Sequence, residues 1–165
     1  MSGKRRKSYE AGHRPKFMAV VDESTECSRA IHFAARRASR TGSGLVLLSI
    51  VAPAEFHQWL GVGDVMQEEG EDAARALLEK HAANARLIAG IEPELVIRNG
   101  VNSEEILKLI AEDEDISFFV LAAGTGAEGP GPLVSAVASK ASASFPIPIV
   151  IVPGGLDDDE IDALT

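Results

Sequence analysis

Phe17-Met18-Ala19-Val20-Val21-Asp22-Glu23-Ser24 is a run of apolar residues cut off by a carboxylate. Val120-Leu121-Ala122-Ala123-Gly124 ends a second such run, and it opens onto Gly124-Thr125-Gly126-Ala127-Glu128-Gly129-Pro130-Gly131-Pro132. Apolar runs without polar alternation read as strands buried on both faces, the mark of a parallel sheet. Working outward, residues 45–51, 116–122 and 146–152 repeat that pattern, and Glu94-Leu95-Val96-Ile97-Arg98 is shorter and more alternating, which predicts an edge strand.

Helical spacing fills the intervals. Ser24 predicts an N-cap, followed by Cys27, Ala30, Ile31, Ala34, Ala35 and Ala38 on one stripe and Arg29, Arg36, Arg37 and Arg40 on the wet face. A long helix is expected over 64–88, with Ala73, Ala74, Leu77, Leu78 and Ala82 inward. Asn102 with Glu105 predicts a capping-box start for the next helix. A fourth is expected over 133–144. Residues 54–63, with Phe56, His57, Trp59 and Leu60, read as a loop.

Strand and helix alternate five times, which calls for a doubly wound, five-stranded parallel α/β sheet. The two unusual strand-to-helix corners are those quoted first. Ligands of open α/β sheets sit beyond the carboxyl ends of strands, where the winding reverses. A strand order of 3-2-1-4-5 would set those two corners facing each other across such a crevice.

The chain has 165 residues, 45% apolar and 25% charged, which fits one soluble domain. Its single Cys27 allows no internal disulfide and points to a reducing compartment. No apolar run approaches the ~20 residues of a membrane span, and no secretory h-region opens the chain, so the expected location is the cytoplasm. The net charge is −9. Against it, residues 1–16 hold Lys4, Arg5, Arg6, Lys7, Arg14 and Lys16 with only Glu10 opposing, and read as a disordered basic arm. Residues 17–153 form the folded domain and 154–165 an acidic tail. So acidic a body is a poor nucleic-acid binder, the basic arm being the one exception.

The glycine loop is the strongest local signal for chemistry. Glycines supply positive φ and close backbone approach, and a loop of N–H groups entering a helix is a natural phosphate site. Ser135, in the first turn beyond it, adds a hydroxyl. Gly124, Gly126 and Gly129 spell Gly-x-Gly-x-x-Gly, but after the fourth strand rather than the first, and no lysine phosphate loop is present. Asp22 suits a ribose hydroxyl or a metal-bound water, or serves the helix dipole. His32 reads as a helix boundary residue, Cys27 as a small core residue, and His57 and His81 have no partner at meaningful spacing. No Ser/His/Asp, Cys/His or metal-ligand set is composed, so the chain is not expected to be an enzyme.

Taken in order, these segments resemble the universal stress protein family over residues 17–152. The likeness rests on Val20-Val21-Asp22-Glu23-Ser24, Leu47-Leu48-Ser49-Ile50, the glycine loop, and Ser135-Ala136-Val137-Ala138-Ser139-Lys140 leading to Pro146-Ile147-Pro148-Ile149-Val150-Ile151-Val152. It implies an adenine-nucleotide alpha-hydrolase-like fold of order 3-2-1-4-5, and ATP or another adenine nucleotide, with or without Mg, between strands one and four. Matched residue by residue, Val21, Asp22 and Ile50 fall at adenine and ribose positions, and Ala123 precedes the loop. Nucleotide-binding members carry Gly-x2-Gly-x9-Gly-Ser/Thr. Here Gly124 takes the first glycine, Gly126 the second with one residue deleted, and Ser135-Ala136 stands where the family has Gly-Ser/Thr. Gly129 and Gly131 are additional. The resemblance also implies a homodimer through the last strand, Ile147 to Val152, whose free apolar edge calls for cover. Nucleotide-binding stress or signalling protein, nucleotide-free homodimeric interaction protein of the same fold, and slow nucleotide hydrolase are the three readings.

Overall fold

The computed structural model describes residues 5–53, 63–127, 129–141 and 144–165. Phe56, His57, Trp59 and Leu60 of the expected loop, and Glu128 of the glycine loop, lie outside the described residues. Strands β1 (Lys16–Val20), β2 (Gly44–Val51), β3 (Glu94–Asn99), β4 (Ile116–Ala123) and β5 (Ile149–Pro153) pair parallel in the order β3-β2-β1-β4-β5. This is the order expected from the sequence, with the alternating β3 at one edge. Helices α1 (Cys27–Thr41), α2 (Gly63–Ala89), α3 (Asn102–Glu112), α4 (Pro132–Ala141) and α5 (Asp158–Leu164) complete the chain.

Side chains alternate across a strand, so each strand feeds two cores. Phe17, Ala19, Leu45, Leu47 and Val120 face α1 and α2, meeting Ile31, Ala34, Leu78 and Ala85. Met18, Val20, Val46, Leu48 and Phe119 face α3 and α4, meeting Ile106, Ile110, Val134 and Val137. Because both faces are covered, no polar alternation is needed, and this explains the continuous apolar runs. The row of alanines along α1 lets that helix lie close over the central strands.

Both chain ends differ from the sequence reading. The basic segment is not a free arm in its described part. The Arg6 guanidinium donates to the carbonyls of Ile110 (2.7 Å) and Asp113 (3.1 Å) at the end of α3, and Ser8 is buried. His13 pairs with Asp115 at 2.8 Å, and Lys16 pairs with Asp113 and Glu94, each at 2.8 Å. Unpaired carbonyls and acidic residues make the end of α3 an electronegative pole, and the basic run settles on it.

The acidic tail likewise carries a helix. Asp157 caps α5 by accepting from the Glu160 N–H, and Glu160 accepts from the Asp157 N–H, each at 2.8 Å. Ile161 is fully buried against the α1 face of the sheet. Around it the exposed arginine stripe of α1 finds its use: Arg29 meets Asp158 at 3.1 Å and Arg36 meets Asp162 at 2.9 Å. His32, read from sequence as a boundary residue, is buried and bridges to Asp162 at 2.7 Å. The His32 hydrogen bond, and then Arg36, hold the Asp162 carboxyl below its ordinary value.

Smaller differences are local. The residue preceding α1 is Glu26 and the one preceding α3 is Val101, neither with a side-chain cap. Ser24 is engaged by Asp22, and Glu105 pairs with Lys108. β5 starts at Ile149 because Pro146 and Pro148 have no N–H for the ladder.

Ile161→Ala should lower unfolding stability by about 2–4 kcal/mol, the cost of a buried cavity. Leu164→Ala, on the exposed side of the same helix, should change it by less than about 0.5 kcal/mol. Urea denaturation of the two variants checks this, and equal effects would contradict the docking of α5.

Candidate functional site

The site forms where β1 and β4 run side by side and their following segments part. β1 is extended by one bond, from Val21 N–H to the Leu48 carbonyl at 2.7 Å. The chain then turns at Asp22, whose Oδ1 accepts from the Ser24 N–H at 2.9 Å and from the Ser24 hydroxyl. This turn aims α1 back over the sheet and leaves Asp22 exposed at the mouth. On the other side β4 ends at Ala123, and the loop is drawn closed by Gly124 N–H to the Pro130 carbonyl (2.9 Å) and Gly129 N–H to the Gly126 carbonyl (3.1 Å).

Between them lies a cavity of about 250 Å³, walled by Val20, Asp22, Glu26, Cys27, Leu121 and Leu133 among others. A second hollow of about 560 Å³ adjoins it over the loop, lined by Gly124, Thr125, Gly126, Gly129, Gly131 and Ser135, with Glu26 shared by both. A third, of about 260 Å³, lies on the α2 side and takes Val21, Asp22, Ser49 and Ile50. The expected site residues thus fall into two groups. Val21, Asp22 and Ile50 come together, and so do Gly124, Gly126, Gly129, Gly131 and Ser135. Asp22 and Glu26 stand between the groups. Ala123 lines none of the three hollows; its carbonyl packs against Gly154, where a β-carbon would come within 2.2 Å.

The loop glycines do different work from that expected. Positive φ occurs at Gly129 (+90°) and Gly131 (+104°), not at Gly124. Gly124 is instead a close-approach position. A β-carbon there would lie 3.2 Å from the Gly129 carbonyl and 3.3 Å from Glu26 Oε1. Glu26 is the site residue that sequence reading missed. In the chain it looks like an ordinary helix-start acid, and only its position opposite the loop distinguishes it.

Sequence reading also left His81 without a partner, and the fold supplies one. Cys27 Sγ lies 3.8 Å from His81 Nε2, both side chains are buried, and the thiol donates to the Asp22 carbonyl at 3.4 Å. The pair spans 54 positions of sequence, so no local pattern could announce it. Burial pushes the Cys27 thiol up and the His81 imidazole down, favouring the uncharged form of each. A neutral thiol beside a neutral imidazole packs as core and lacks the thiolate that nucleophilic chemistry needs. Among the described residues no cluster of three or more metal-ligating side chains occurs, and no helix is long and apolar enough to cross a membrane.

Residues 13–153 match the model of the "Universal stress protein family". No curated protein matches the chain. Among solved structures, the universal stress protein UspA from Lactobacillus plantarum superposes with a TM-score of 0.71 at 17% identity, covering 84% of this chain and 97% of that one. A universal stress protein in complex with cAMP gives 0.61 at 15% identity, over 86% and 98%. One from Archaeoglobus fulgidus in complex with dAMP gives 0.59 at 21% identity, over 84% and 96%.

The buried histidine yields a pH prediction. The fold lowers the His81 imidazole below its ordinary 6.5, through burial first and Lys80 second, with Asp22 opposing. Above about pH 6.5 neither the folded nor the unfolded chain protonates this residue, and it costs nothing. Below that, the unfolded chain takes up a proton that the folded one resists, so stability falls until the folded value is passed. Urea midpoints at about pH 7.5 and about pH 5.5 should therefore converge partly in His81→Gln relative to the unmodified chain. An identical pH dependence in both would contradict it.

Proposed function

The chain belongs to the universal stress protein family, and on that premise we propose that it binds an adenine nucleotide in the crevice between β1 and β4 and acts in stress response or signalling without a catalytic step of its own. One observation carries the reading: the Asp22 turn and the glycine loop face each other beyond the carboxyl ends of adjacent strands, at the switch point of the winding. The hollow beside Val21 and Ile50 offers apolar walls for a base, Asp22 Oδ2 an acceptor for ribose hydroxyls, and Ser135 with the loop the polar end. The cAMP and dAMP complexes of similarly folded proteins support adenine as the base. Two-fold pairing through β5 belongs to the same reading. Ile151 is 44% exposed on an edge strand, an apolar surface that a second copy would cover.

Equilibrium binding of AMP to the purified chain tests the site. Gly131→Val, which forces a β-branched residue to a φ of +104°, should weaken binding by roughly tenfold or more, with the circular-dichroism spectrum unchanged. Asp22→Ala should weaken it by roughly tenfold to a hundredfold, the loss of one hydrogen bond to a charged group. Unchanged affinity in both variants would put the ligand elsewhere. For the assembly, Ile151→Lys should turn a dimer into a monomer in light scattering, and a monomeric unmodified chain would reject the pairing.

A further inference from the structure

We propose that Glu26 is a specificity-determining residue, which makes the crevice accept adenine ligands with one phosphate or none and reject polyphosphates. The inference rests on the nucleotide reading above and concerns the phosphate end of the same site.

Glu26 is the last residue before α1 and lies half-buried on the wall shared by the deep cavity and the loop hollow. Its Oε1 sits over Gly124, at the first glycine of the loop, where a β-carbon would come within 3.3 Å of it. Oε2 faces back to the Thr25 hydroxyl at 3.4 Å. The carboxylate therefore occupies the space above the loop into which a phosphate chain would extend. Its negative charge also offsets the positive end of the α1 dipole, which would otherwise attract an anionic ligand.

The loop has little to set against it. The Gly124 and Gly129 amides are bonded within the loop, to Pro130 and Gly126. Pro130 and Pro132 have no N–H. The described walls of the cavity and the loop hollow carry Asp22, Glu23 and Glu26, and no lysine, arginine or histidine. A phosphate cradle works by converging donors and positive charge. Here two of the loop amides are already bonded, and the side-chain charge on the described walls is negative. Each added phosphate brings further negative charge toward Glu26, in a partly enclosed space where salt screens poorly. Adenosine adds no charge and is indifferent to Glu26.

The opposite arrangement is a carboxylate that holds a divalent cation for a triphosphate, and the experiment separates the two. Calorimetric titration of the full chain and of Glu26→Gln is made with adenosine, AMP and ATP, each with and without Mg²⁺. The unmodified chain should bind ATP roughly tenfold or more weaker than AMP, the scale of one added like-charge contact at short range. Glu26→Gln should raise ATP affinity by about tenfold and leave adenosine within about twofold. ATP binding as tight as AMP in the unmodified chain overturns the proposal. So does Mg²⁺-dependent ATP binding that Glu26→Gln weakens, which would make Glu26 a cation ligand. Adenosine and AMP bound with ATP excluded supports it even if the variant is unstable. Binding of none of the three overturns the nucleotide reading, and this inference falls with it.

Discussion

The parallel pairing of β1 with β4 is the constraint on which the rest of the molecule depends. Residues distant in sequence are brought into register there, Phe17 beside Phe118 and Ala19 beside Val120. The chain winds from β1 out to β3, crosses back, and continues from β4 to β5. At that seam the connections leave in opposite directions, so their first residues splay apart and open a crevice that needs no insertion or lid. The pair is held by burial on both faces, with Met18, Ala19, Phe119 and Val120 inaccessible to solvent. A cavity at the end of so rigid a seam can present side chains in fixed positions, which is what a selective site requires.

Charge complementarity then closes the two ends of the chain over this core. The basic segment meets the electronegative end of α3, and the acidic C-terminal helix meets the arginine stripe of α1. These contacts are partly exposed and each contributes modestly. What fixes α5 is the burial of Ile161, with the ion pairs setting its register on α1. The link between β5 and α5 passes the site closely: Gly154 lies against the Ala123 carbonyl and Glu26 Cβ, and Gly155 near Thr125. The C-terminal helix is thus anchored beside the wall that carries the Glu26 carboxylate.

The strand order was legible in the chain because a strand buried on both faces must be apolar throughout, as Leu45 to Leu48 and Phe119 to Leu121 are. The crevice was legible because Asp22 and the glycine loop break that pattern at strand ends. The family resemblance over residues 17–152 agrees with the model match over 13–153. What stayed hidden depends on tertiary proximity. Arg6 to Lys16 and Asp157 to Asp162 look like solvated charge runs until the surfaces they meet are in place. Glu26 and the Cys27–His81 contact are set by the approach of a loop and a helix, which no local spacing encodes. Composition marks the loop glycines as a group, for positive φ and close approach, but not that Gly129 and Gly131 take the positive φ values while Gly124 provides room.

The central claim is that the seam between β1 and β4 holds the ligand, and backbone amide shifts during a titration with AMP read it most directly. The account predicts perturbation concentrated in residues 21–27, at the end of β2 near Ile50, and over residues 124–135, with the basic segment and α5 quiet apart from Gly154 and Gly155. Shifts centred on Arg5, Arg6 and Tyr9, or no shifts at saturating AMP, would contradict it.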